Sequence, residues 1–253
     1  MKKAFIILVF LNSLTTFGQI KIGGEEETVK KDNKTKTEKA KGASDSLISA
    51  ERTEIFIGFN RSSTFRNLVE NNNIFGDSIG ARADETSVGK WSFSLGVRSK
   101  LNKYLMFEGG ISYLQNGEKY EFQGTDTSHT YTNSYKFIGM PIRLYGVFGQ
   151  KKWRFQIGVG AIPQMALKFE QNATFIDSNN KETTVDIKSK IGMSSFVFSV
   201  AANAGVQYEF LPSWSLFVMP EYRFQLSSSL LKTSKFKHFG NAFGVGFGIV
   251  KSF

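Results

Sequence analysis

The chain has 253 residues, with 24 glycines, 25 phenylalanines, 4 prolines, no cysteine and a formal net charge of +10. Without cysteine the fold gains nothing from disulfides and offers no thiolate metal site. Beyond the first dozen residues no run of about 18 apolar residues occurs, which excludes a bundle of membrane-spanning helices, whereas strands apolar on one face only remain compatible with a mean hydropathy of -0.21.

The start of the chain reads as a secretory leader over 1–18: Met1-Lys2-Lys3, an apolar run from Ala4 to Leu11, and Gly18 before a cut that leaves Gln19 first. No cysteine follows the cut, so the leader is not of the lipoprotein kind. Residues 19–51 change character, with Glu25-Glu26-Glu27, Lys30-Lys31, Lys34, Lys36 and Lys39 and no hydrophobic period. Burial there cannot offset ordering entropy, so a flexible basic segment is expected. Its stretch Lys30–Lys41 is strongly lysine-rich, and export argues against nucleic acid as a partner.

From Arg52 the pattern turns to period two and stays so to the end, which makes 52–253 one domain. The first strand, about Thr53–Arg61, puts Ile55, Ile57 and Phe59 opposite Gly58 and Asn60. The second, about Trp91–Lys100, sets Trp91, Phe93, Leu95 and Val97 against Ser92, Ser94, Gly96 and Arg98. The third starts near Tyr104 and sets Leu105, Phe107, Ile111 and Tyr113 against Met106, Glu108, Gly110 and Ser112. In the fourth, about Tyr135–Phe148, Pro141 points to a bulge and Arg143 lies opposite Ile142 and Leu144. The fifth runs from Trp153 to about Leu167 with Arg154, Gln156, Gly158 and Gly160 on its small or polar face. The sixth, about Phe196–Phe210, carries Asn203, Gln207 and Glu209 on that face, and the seventh, from Trp214, carries Glu221 and Arg223. The closing stretch alternates Phe243, Val245, Phe247 and Ile249 with Gly244, Gly246 and Gly248.

Each segment is about as long as a tilted strand needs to cross a bilayer. The connections alternate between short turns (around Asn102-Lys103, Gly149–Lys152 and Leu211–Ser213) and longer stretches (Ser62–Lys90, Asn116–Ser134, Lys168–Gly192 and Ser227–Lys237). The charged strand residues share a face with glycine, serine and amides, while the other face is nearly continuous in Phe, Ile, Val, Leu, Trp and Tyr. A soluble barrel has the opposite polarity, because water does not tolerate so large an exposed apolar band. The expected fold is therefore all-β: an antiparallel transmembrane β-barrel of about eight strands, closed so that every backbone polar group in lipid is satisfied. Short turns and both mature termini are expected on the periplasmic side. Trp153, Trp214, Phe210 and Phe253 then fall at periplasmic strand ends and Trp91 at an outer end, where aromatic girdles form, and Lys251 snorkels at the interface.

The Gly18-Gln19 leader end, the alternating strands, the stretch Phe137-Ile138-Gly139-Met140-Pro141-Ile142-Arg143-Leu144-Tyr145 and the final Phe253 resemble the outer-membrane β-barrel domain family of the Bacteroidetes, the PorT-like group. The resemblance covers about Arg52–Phe253 and implies fold and location rather than an activity. It implies outer-membrane lipid, the barrel-assembly machinery and other envelope or secretion proteins as partners, and Phe253 as the assembly signal.

The inward charges Arg98, Glu108, Arg143, Arg154, Glu209, Glu221 and Arg223 form the one constellation that carries chemistry, read as a lumen charge network that fills the barrel. Turn geometry sets Arg98 opposite Glu108 and Asn203 opposite Glu221, and ending the last two strands together sets Glu221 and Arg223 against Gly246 and Gly244. The glycines then leave room for the long ions. His129, beside Ser128, and His238 are expected to be solvated at the outer side, without a nucleophile motif or metal-ligand spacing around them. The acids and amides at Asn71-Asn72-Asn73, Asp77, Asp84-Glu85, Asp126 and Asp177-Ser178-Asn179-Asn180 read as solvated turns. No catalytic residue, cofactor or metal is expected. The function expected is a non-enzymatic structural or interaction component of the envelope or a secretion assembly, the alternatives being a small passive channel and, third, a rim-sited enzyme.

Overall fold

The computed structural model describes residues 53–70, 85–124, 127–149, 152–234 and 236–253. The expected leader and basic segment, and Asn71-Asn72-Asn73, Asp77, Asp84 and Asp126, lie outside these residues. The described residues form eleven antiparallel strands: β1 Thr53–Glu70, β2 Glu85–Ser87, β3 Gly89–Lys100, β4 Leu105–Gln123, β5 Ser128–Gly139, β6 Ile142–Phe148, β7 Trp153–Ile176, β8 Glu182–Ser189, β9 Phe196–Leu211, β10 Trp214–Gln225 and β11 Phe236–Ser252.

Eight of the positions close into a ring, with β5 and β6 serving as one strand: β1 pairs with β3, β3 with β4, β4 with β5 and β6, these with β7, then β9, β10, β11 and back to β1. The closing pair runs in unbroken register from Glu54↔Ser252 to Glu70↔Phe236, so the ring has no free edge across the bilayer. The backbone repeat of two carries the sequence pattern onto the wall. Ile57, Ile111 and Val159 stand on the outer face at 47%, 61% and 62% exposure, whereas Glu54 and Glu108 on the inner face are at 0%. An apolar belt wrapped around buried ions is stable in lipid and not in water, so the wall spans a membrane.

The two rims differ. At the turn rim, neighbouring strands join through tight reversals. Asn102 Oδ1 accepts from the backbone N–H of Tyr104 and Leu105 at 2.8 and 2.9 Å, and Gly149 takes φ 108° where an added Cβ would lie 2.6 Å from the Trp153 carbonyl oxygen. Trp153 packs on Tyr208 with ring centroids 4.5 Å apart, and the Lys251 ammonium sits 4.7 Å from the Trp214 ring, a cation held at the interface as its place in the sequence suggests.

At the opposite rim the strands run on past the belt, and among the described residues three of the four longer stretches expected as loops are largely strand, Ser227–Lys237 being the exception. β1 continues to Glu70. Asn116–Ser134 is a hairpin, with β4 and β5 paired out to Gln123↔Ser128. Lys168–Gly192 is a second hairpin, β7 pairing β8 from Phe169↔Ser189 to Ile176↔Glu182. Together β2, β4, β5, β7 and β8 raise a five-stranded crown.

The bulge expected at Pro141 is elsewhere. β4 and β7 keep one register across Met140-Pro141, and only the ladder is interrupted, because proline has no N–H to give. The Pro141 carbonyl still accepts from Gly110 at 3.2 Å, and Met140 N–H donates to Pro163 at 2.9 Å. The register shift falls between Lys136 and Phe137 against β7, where Lys168 and Ala166 are the partners and Leu167 is the extra residue.

Candidate functional site

The lumen holds two apolar clusters and a chain of ions. Next to the turn rim, Phe56, Met106, Tyr145, Val147, Phe217, Met219 and Val250 form one apolar plug. Toward the crown, Leu114, Tyr135, Phe137, Ile162, Ala166, Met193, Val197 and Ala201 form a second. A chain of ions starts among the rings of the first cluster. Arg98 Nε donates to Glu108 Oε2 at 2.7 Å, Arg143 Nη1 to Glu108 Oε1 at 2.7 Å, and Arg143 Nη2 to Glu221 Oε2 at 2.5 Å. Arg98 and Glu108 face each other directly across β3 and β4, and Glu108 faces Arg143 across β4 and β6, so strand register alone brings three of the ions together. Ions taken out of water are costly unless paired, and here each carboxylate meets a guanidinium. The Arg98 guanidinium also lies 4.5 Å from the Phe56 ring and 4.8 Å from Phe217, so the plug supports it from its apolar side.

Arg154 and Arg223 leave this central chain. Arg154 Nη1 donates across the lumen to Glu54 Oε1 at 2.6 Å, near the turn rim. Glu54 shares the inner face with Gly58 and Asn60, and its parity is the signal that would have found it. Arg223 Nη2 donates to Asn116 Oδ1 at 2.7 Å on the crown side. Glu209 is not in the network. It lies beside the β9–β10 turn and accepts from Ser213 N–H at 3.3 Å, because the strand end carries it out of the ion layer.

Two further corrections concern β10 and β11. Asn203 does face Glu221, but Glu221 pairs with Gly244 and Arg223 with Ala242, two residues from the expected match. Trp214 is held at Lys251, two residues short of the end, which sets that register. The β11 glycines accordingly admit other groups than the ions. A Cβ on Gly248 would lie 2.1 Å from the Ile57 carbonyl oxygen and 2.7 Å from Phe217, and one on Gly244 would meet Asn60 and Ser62 at 2.6 Å. Gly246 borders a cavity of about 50 Å³ shared with Asn60, Ser94, Arg143, Asn203 and Glu221. At roughly 10–15 Å³ per water this is room for a few waters.

His238 is not solvated, whereas His129 is half-buried. His238 is 1% exposed, stacked on Tyr135 at 4.5 Å, and its Nε2 lies 2.6 Å from Glu118 Oε1. Arg66 Nε is 3.9 Å from Glu118 Oε2. His129 joins an aromatic row on the crown's inner face with Phe175 (4.3 Å), Tyr131 (5.5 Å) and Tyr120 (5.8 Å). In this row burial pushes the Tyr131 phenol upward, and Glu118 adds to the rise while Arg66 opposes it. Among the described residues no group of three or more His, Cys, Asp or Glu is placed to hold a metal ion. Outside the bilayer, Glu170 receives Lys136 and Lys168 at 2.6 and 2.7 Å, and their hydrogen bonds lower its carboxyl to about 2.

Phe253 is 69% exposed at the turn rim, and its N–H donates to the Thr53 carbonyl at 2.9 Å, tying the last residue of the ring to the first.

Among solved structures the chain is similar to Ail, the attachment invasion locus protein of Yersinia pestis, at 14% identity over 79% of this chain and 98% of that one, with a TM-score of 0.34. It is similar to the outer membrane protein OprG of Pseudomonas aeruginosa at 13% identity over 81% and 96%, TM-score 0.42, and to Neisserial surface protein A at 11% over 79% and 97%, TM-score 0.39. No curated protein sequence matches the chain. The pattern of the outer membrane protein beta-barrel domain matches residues 58–249, from the lumen glycine of β1 to the lipid-facing isoleucine of β11. An outer-membrane location follows for the apolar belt, and the chain belongs to the outer membrane protein beta-barrel domain family.

Proposed function

We propose that this protein is a non-conducting, non-enzymatic outer-membrane barrel that anchors its crown for interaction with a partner in the envelope or in a secretion assembly. The observation that carries this is the filling of the lumen: two buried apolar clusters and an ion chain whose members are bonded to one another, with a cavity of about 50 Å³ beside them. A conducting eight-stranded barrel needs a continuous wet path, and buried apolar side chains within the lumen weigh against one. An enzyme needs a nucleophile, base and orienting group open to substrate. The nearest approach is His238 with Glu118, and both are buried, the ring lying under Tyr135.

In this reading the turn rim and both ends of the ring face the periplasm and the crown faces outward, in keeping with short turns on the periplasmic side. Phe253 presents its ring at that rim to the assembly machinery. The resemblance to the PorT-like group of the Bacteroidetes, carried by Met140-Pro141-Ile142 and the strand pattern, favours a secretion or envelope role over transport.

Single-channel recording of the purified protein in planar bilayers tests the closed lumen. Silent traces at all voltages are expected. Reproducible conductance steps would refute the reading and restore the passive channel.

A further inference from the structure

We propose that β8 is the docking strand of the crown, and that its occupant is β8 of a second copy of this chain held in a facing membrane. The inference rests on the reading that the crown projects outward. β8 hydrogen-bonds β7 along one edge, and among the described residues no strand lies on its other edge. Glu182–Lys188 is exposed throughout. Such a row of unpaired N–H and C=O groups is a template for another extended segment, and natural edges are blunted by prolines, bulges or shortness. β8 contains no proline, its register with β7 has no shift, and it is eight residues long, whereas the other crown edge, β2, has three.

The sequence of β8 is complementary to itself. Paired antiparallel about Val185, Glu182 meets the second copy's Lys188 and Lys188 meets the second copy's Glu182, while Val185 meets its own image and Ile187 meets Thr183. Val185 and Ile187 are 40% and 41% exposed and share one face, so the pairing also covers the apolar side chains that β8 leaves open. Lys188 lies beside Glu170 in the β7 register, but Glu170 is already held by Lys136 and Lys168. Glu182 faces Ile176. Both end charges are therefore left for a partner.

Direction decides where the second copy sits. β8 descends from the crown tip toward the bilayer. With strands tilted roughly 35–45° from the barrel axis, two copies of like orientation in one bilayer differ in strand direction by at most about 90°. They cannot run antiparallel. Copies in facing membranes can, which makes β8 a homotypic contact between two membranes, with many weak pairs acting together.

The test uses the full chain reconstituted in phosphatidylcholine vesicles, with clustering followed by light scattering. Wild-type vesicles are expected to cluster. Glu182→Lys and Lys188→Glu each replace two attractions by two repulsions and are expected to weaken clustering roughly tenfold or more. Mixing Glu182→Lys vesicles with Lys188→Glu vesicles restores both pairs and is expected to restore clustering. Unchanged gel mobility of the unheated barrel in both variants shows that they fold. Dispersed wild-type vesicles, equal clustering by all variants, or a mixture that fails to recover would each overturn the proposal. Conductance steps in the same preparation would instead overturn the closed-lumen reading and leave β8 pairing standing.

Discussion

Glu108 holds the centre of the ion chain, and replacing it with glutamine is the sharpest perturbation of the lumen. The carboxylate is fully buried and accepts from Arg98 and Arg143, both at 2.7 Å. Glutamine preserves shape but not charge. Arg143 keeps Glu221, while Arg98 loses its direct carboxylate partner and keeps the Glu54 charge across β1 and β3 and the rings of Phe56, Phe217 and Tyr145. Removing one partner of a buried pair costs about 3–5 kcal/mol, so Glu108→Gln is expected to lower the ratio of folded to unfolded barrel by more than about a hundredfold. Arg98→Met leaves Glu108 with Arg143 and keeps an apolar contact with the plug, and loses about 1.5–3 kcal/mol as one charged hydrogen bond disappears. The double variant is expected to be more stable than the two losses added together, with a coupling of at least about 1 kcal/mol. The assay is urea unfolding in lipid vesicles, followed by tryptophan emission, since Trp91, Trp153 and Trp214 are 40–53% exposed on the outer wall. A Glu108→Gln barrel within about 0.5 kcal/mol of wild type, or strict additivity, would refute the account of the ion layer.

Other consequences follow from the wall and the crown. Gly248→Ala is expected to lower the folded yield, because its Cβ would lie 2.1 Å from the Ile57 carbonyl, while Gly246→Ala, with nothing nearer than 3.4 Å, is expected to fold as wild type; equal yields would show that β1 and β11 are not in this register. Glu170 is held at about 2 against about 4.3 in an unfolded chain. A depressed carboxyl contributes stability that is full above the unfolded value and lost as pH falls through the folded one. The stability difference between wild type and Glu170→Gln is therefore expected to be constant above about pH 4.3 and to shrink toward pH 2, and a difference independent of pH would contradict the lysine clamp. Phe253→Ala is expected to reduce outer-membrane yield in cells without affecting refolding in detergent, and loss in both settings would mean that the ring serves closure rather than recognition.

The wall was legible because its physics is written in a period of two. Alternation from Ile55 to Ile249 placed the lipid face, and the Asn102 turn alone set Arg98 against Glu108. The crown was not legible, and the reasons are local. Asn116-Gly117 has the composition of a hairpin turn, but Gly117 lies within β4, where a Cβ would meet the Lys90 side chain at 2.4 Å. Reading a long connection from Asn116 to Ser134 hid Glu118, and with it the partner of His238. The plugs were hidden for a different reason. Phe56, Phe137, Phe217 and Val250 stand on the inner face, where an apolar residue looks like a lapse in alternation, and only the closed ring shows that they meet. Glu209 shows the converse limit, since its parity is right and its height along the barrel is not.

Cysteine accessibility tests the closed lumen most directly, and the natural absence of cysteine makes single substitutions clean reporters. Ser112 and Ser199 are 4% and 2% exposed on the inner wall, and Thr184 is exposed on β8. With a charged thiol reagent applied to folded barrels in vesicles, Thr184→Cys is expected to label promptly and Ser112→Cys and Ser199→Cys to stay unlabelled until the barrel unfolds. Prompt labelling of either inner-wall cysteine in the folded barrel would contradict a lumen sealed by its own side chains.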